Sequence, residues 1–159
     1  MDNAEVIRSF YAALQRRDGA ALGAAYAPDA RFEDAVFTLS GWEVPAMWRM
    51  LCARAVDLRV EFRDVRVDRD SGSAHWEAWY TFSPTGRPVH NIIDATMTLR
   101  GGKILTHHDR FDFRRWSAQA LGLTGRLFGW TPMLHAAVRR RSARALATYA
   151  ANHPLTGTP

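Results

Sequence analysis

The sequence predicts an α+β fold: a curved antiparallel sheet with helices packed on its concave face, followed by an extra C-terminal helical segment. Three observations carry this reading. Helical spacing of apolar residues dominates the first third of the chain, and two-residue alternation dominates Leu58 to Phe113. Within that alternation, Gly101-Gly102 separates two patterned runs. A Gly-Gly pair suits a type I′ hairpin turn, which needs positive φ at both central residues. A length of 159 residues is enough for one domain with a real core. Residues 1–113 are expected to form that domain, with 114–159 as a helical extension packed on it or on a partner subunit.

Each element has its own signal. Asp2 with Glu5 resembles a capping box; Val6, Ile7, Phe10, Tyr11 and Leu14 then keep helical spacing to Arg17, where Asp18-Gly19 stops the helix. A short helix, Ala20 to Tyr26, ends before Pro28. ARFEDAVF begins a strand on which Phe32 and Asp34 share a face. Ser40 and Glu43 form another possible capping box, or Pro45 marks the first turn, ahead of the stripe Met47, Trp48, Leu51 and Cys52. Leu58 to Val67 alternates but slips at Arg63-Asp64, which implies a β-bulge. Ser73 to Phe82 alternates with Trp76, Ala78, Tyr80 and Phe82 on one side, and SPTGRP is a loop.

The stretch His90 to Phe113 closes the sheet. Ile93, Ala95, Met97 and Leu99 share one face of its first strand; His90, Ile92, Asp94 and Thr96 share the other. A loop centred on Gly101-Gly102 pairs Leu99 with Ile104, Thr96 with His107 and Asp94 with Asp109. Facing carboxylates repel. They are expected either on a wet face or in a working pocket, where one of the two would hold its proton near neutral pH.

The layout resembles the NTF2-like superfamily, most closely ketosteroid isomerase and the SnoaL-like polyketide cyclases, over residues 4 to 113. SFYAALQRRD…APDARFEDAVF is similar to the isomerase's opening helix and base segment, which places Asp34 at the proton-abstracting carboxylate. VHNIIDATMTLRGGKI resembles the strand of its protonated aspartate, which places Asp94 there. Phe10 stands at the oxyanion tyrosine position, so half of that oxyanion hole is missing. SnoaL-like cyclases carry histidine and aspartate on the last strand; His107 and Asp109 fit.

The resemblance implies general acid–base chemistry, an isomerisation, cyclisation or related proton transfer, on a small hydrophobic carbonyl-bearing or polycyclic substrate. Asp34, Asp94, His107 and Asp109 are the expected catalytic groups, and Phe10, Trp48, Trp76, Tyr80, His90 and Phe111 the substrate-binding ones. The alternatives are a non-catalytic ligand-binding or oligomerisation module and a reaction like that of limonene epoxide hydrolase. The last expects an arginine where Ile92 stands.

No cofactor or metal is expected: His107 and His108 point to opposite faces, and no tight ligand spacing joins His107 to Asp94 and Asp109. The expected partners are a small hydrophobic ligand and a second copy of the chain, paired through Ile93, Ala95 and Met97. Every Asp and Glu lies at or before Asp112, and of charged or near-neutral-titrating side chains the tail carries only Arg and His. A nucleic-acid or membrane partner is not expected, because a helix with Thr131 as cap and Pro132 in its first turn offers apolar residues to pack. The start lacks a basic, apolar leader and no apolar run spans a bilayer, which suggests a cytoplasmic protein.

Overall fold

The first helix begins as its sequence implies. Asp2 accepts from the Glu5 N–H at 2.8 Å and Glu5 reaches back to the Asp2 N–H at 3.0 Å, so two otherwise orphan donors are satisfied. In the computed structural model, which describes residues 1–154, this helix is α1 (Asn3–Gln15). It is followed by α2 (Gly19–Ala24), β1 (Tyr26–Glu33), β2 (Thr38–Ser40), α3 (Glu43–Arg54), β3 (Arg59–Asp68), β4 (Ser71–Phe82), β5 (Arg87–Arg100), β6 (Lys103–Arg110), α4 (Phe113–Leu121), α5 (Leu123–Phe128) and α6 (Pro132–Asn152). The end of the expected extension, 155–159, lies outside the described residues.

The six strands form one sheet in the order β2-β1-β6-β5-β4-β3. It is mixed rather than wholly antiparallel, because β1 runs parallel to β6. The intervening α3 and four strands, β2 to β5, supply the long connection that parallel neighbours require. Ile7, Phe10, Tyr11 and Leu14 of α1 and Val44, Met47 and Trp48 of α3 are buried against the inner sheet face, where Val60, Trp76, Ile93, Ala95 and Met97 are buried too.

Gly101 and Gly102 take φ of 58° and 75° between the paired residues Arg100 and Lys103, as a type I′ turn demands. The slip at Arg63-Asp64 is a bulge, with Asp64 at φ 57°. A second bulge corrects the expected hairpin. Leu99 pairs with Ile104, but Thr98 then pairs with Thr106, leaving Leu105 as an extra residue. From there on Met97 faces His107, Ala95 faces Asp109 and Asp94 faces Arg110. A one-residue shift turns every following side chain to the other face.

His107 and Asp109 therefore share the inner face with Ile93, Ala95 and Met97, and Asp94 points outward. The homodimer seam expected on Ile93, Ala95 and Met97 is not an outer surface, since these residues are buried in the core. The strand also ends earlier than expected. Asp112 caps α4, accepting from the Arg115 N–H at 3.0 Å.

Thr131 caps α6 and Pro132 begins it. This helix crosses back over the domain, burying Leu146 in the main core. Arg139 of this helix donates to the Ala35 carbonyl at 3.1 Å and the Thr38 hydroxyl at 2.6 Å. Among the described residues no helix is long and apolar enough to cross a membrane.

Candidate active site

A cavity of about 720 Å³ lies between the inner sheet face, α3 and the C-terminal helices. That volume suits a drug-sized ligand. Trp48, Trp76, Tyr80 and Phe111 line it as expected, and Leu134, Val138 and Ala145 of α6 form one wall. Two carboxylates face into it, Asp34 and Asp109.

Asp34 follows β1 at the turn into β2. Its Oδ1 accepts from the Val36 N–H at 2.7 Å and the Phe37 N–H at 2.6 Å, the Asx-turn role that a strand-end aspartate often takes. Burial nonetheless pushes its pKa up to about 6, against those two N–H bonds and with the Asp109 charge adding to the rise.

Asp109 is 3 % exposed and ends a buried chain of hydrogen bonds. The Trp48 indole donates to the Tyr26 oxygen at 2.9 Å, so the Tyr26 hydrogen is available for His107 Nδ1 at 2.6 Å. His107 Nε2–H then donates to Asp109 Oδ1 at 2.9 Å, and that same oxygen accepts from the Trp76 indole at 3.3 Å. This is the direction in which every donor and acceptor of the chain is matched. Among the described residues neither carboxylate has a hydrogen-bond partner at Oδ2.

Tyr80 adds a third group. Burial raises its pKa to about 12, with Asp34 contributing, so it stays protonated. Its oxygen accepts from the Trp116 indole at 2.8 Å, leaving its own hydrogen for the cavity.

The remaining expected residues lie elsewhere. Asp94 is on the outer face with a side chain 72 % exposed, paired with His75 Nδ1 at 2.8 Å, so no Asp94–Asp109 pair forms. His90 is also outside, stacked on Trp79 at 4.4 Å between ring centroids and bonded to Glu77 at 2.8 Å. Both displacements follow from parity on β5. Phe10 does not line the cavity; it packs edge-on against His107, centroids 5.6 Å apart, and so braces the imidazole. Among the described residues the Tyr11 hydroxyl beside it is buried without a partner.

Sequence reasoning missed Tyr26, Asn91, Trp116 and Arg141. Asn91 shares parity with Ile93 and lines the cavity, a signal present in the sequence. Tyr26 was expected at a helix end, and nothing local marks Trp116 or Arg141. Among the described residues no group of three or more His, Cys, Asp or Glu is arranged to hold a metal.

The model of the SnoaL-like domain family matches residues 7–107. Among solved structures, a protein of ketosteroid-isomerase-like fold from Catenulispora acidiphila, in complex with trimethylamine, superposes with a TM-score of 0.66 at 21% identity. The match covers 80% of this chain and 98% of that one. IdmH from Streptomyces antibioticus, a proposed polyketide cyclase, is similar at TM-score 0.61 and 24% identity, over 77% of this chain and all of that one. An epoxide hydrolase from M. tuberculosis resembling limonene epoxide hydrolase gives 0.60 and 20%, covering 77% and 92%. At these identities the likeness establishes the NTF2-like fold alone. No curated protein matches the sequence.

Proposed function

Because the chain belongs to the SnoaL-like domain family, we propose that its cavity carries out acid–base catalysis on a small hydrophobic, carbonyl-bearing or polycyclic substrate. The observation supporting this is the pair of carboxylates in one aromatic cavity, each with Oδ1 committed to two donors and Oδ2 uncommitted. A structural aspartate needs no free oxygen facing an apolar space.

In this reading Asp34 removes a proton beside the substrate carbonyl, since a carboxyl held near pH 6 is a stronger base than an ordinary one and is still ionised at neutral pH. Tyr80, held protonated with its oxygen filled by Trp116, donates to the developing oxyanion. It takes the place left by Phe10. Asp109, oriented through His107 and Tyr26, receives or returns the second proton. Proton transfer of this kind needs only these side chains.

The test is exchange of acidic C–H protons into D2O, followed by NMR over a panel of polycyclic β-dicarbonyl compounds and β,γ-unsaturated ketones. Exchange above the buffer rate is expected, and Asp34→Asn should lower it about 10²–10⁴-fold. Compounds that bind tightly without exchange, or an unchanged rate in the variant, would instead favour the binding-module reading.

A further inference from the structure

The segment from Leu123 to Met133 is built inside out. Leu123 is 70 % exposed, Leu127 55 %, Phe128 52 %, Trp130 68 % and Met133 77 %. Gly125 and Gly129 are buried. A Cβ on Gly125 would fall on the Ser117 carbonyl, and one on Gly129 would meet the Ser117 hydroxyl. The short helix α5 therefore seats its glycine side on α4 and turns its large apolar side chains to water. Five large apolar side chains exposed within eleven residues mark an interaction surface.

Charge identifies the partner. All seven ionised side chains after Asp112 are arginines, and no Asp or Glu accompanies them. Arg126 lies within the patch, while Arg140 and Arg144 stand seven and eleven residues after Met133, on the same exposed face of α6. A second copy of the chain docked symmetrically, this face on this face, would bring arginines against arginines. An anionic bilayer instead accepts arginine at its headgroups and Leu, Phe, Trp and Met at the acyl boundary.

We propose that the 123–144 segment docks the protein peripherally on anionic lipid surfaces. Thr124, Leu134 and Val138 of the same segment line the cavity, so the docked face adjoins the cavity rim and a lipophilic compound could pass from bilayer to cavity along it. Of the apolar residues of α6, the structure buries Leu146 and leaves Met133 outside.

The full chain should pellet with vesicles of equal parts phosphatidylcholine and phosphatidylglycerol, not with phosphatidylcholine alone, and salt should release it. Arg126→Gln, Arg140→Gln and Arg144→Gln should each weaken binding about five-fold. A variant combining Leu127→Ser, Trp130→Ser and Met133→Ser should stay in the supernatant with an unchanged melting temperature, since these side chains are already in water. No pelleting with the anionic vesicles, or equal pelleting by the serine variant, overturns the inference. So does a concentration-dependent dimer that the serine variant abolishes. None of these readouts needs turnover, so they stand apart from the acid–base reading.

Discussion

Asp34 stabilises the fold best when it is neutral. Its folded pKa of about 6 exceeds the ordinary 3.8, so the folded chain holds the proton more tightly than the unfolded one. That contribution is complete below about pH 4, falls away as pH rises through 6, and amounts to about 3 kcal/mol in full. Asparagine can still accept both turn N–H bonds without carrying the charge. Asp34→Asn should therefore raise stability at pH 8 by about 1–3 kcal/mol and leave it nearly unchanged at pH 3.5, measured by urea unfolding at both values. Tyr26 makes the opposite case. Tyr26→Phe strands the Trp48 indole and His107 Nδ1 in the core, a loss of about 1–3 kcal/mol by thermal unfolding. Asp34 was legible from the FED segment and its parity with Phe32. Tyr26 was not, because its partner His107 lies far along the chain and only the folded sheet brings them together.

Elements with local causes were readable: the Asp2 cap, the Gly101-Gly102 turn, the Asp64 bulge and the Thr131 cap all follow from neighbouring residues. The bulge at Leu105 does not. The ladder on the other side of β6 also shifts there, between Tyr26 and Arg31 of β1, on a strand where Pro28 has no N–H to give. The hairpin sequence carries no trace of this, so an unbulged register put Asp94 and His90 on the wrong face. The seat of α5 was equally hidden, since glycines in an apolar run read as flexibility rather than as close approach. Gly125→Ala would overlap the Ser117 carbonyl and should cost at least about 1–3 kcal/mol. Thr124→Ala next to it should be nearly silent, a contrast that differential scanning calorimetry resolves.

Across the whole molecule, charge is divided as the sequence suggests, with the acidic groups confined to the portion before α4 and a formal net charge of +5. That division was legible; its meaning depended on which tail residues pack, and only the packed structure separates Leu146 from Met133. The six tryptophans are divided too. Trp42 and Trp130 stand in water and Trp79 lies on the outer face beneath Arg59. Trp48, Trp76 and Trp116 are buried, and each indole donates to an ionisable group: Tyr26, Asp109 and Tyr80. The protein thus carries an intrinsic optical reporter. The blue edge of its emission comes from indoles wired to the proton-handling groups, and the red edge from indoles in solvent. A compound entering the cavity should quench or shift the first and spare the second, so ligands can be screened by fluorescence alone, before any reaction is known.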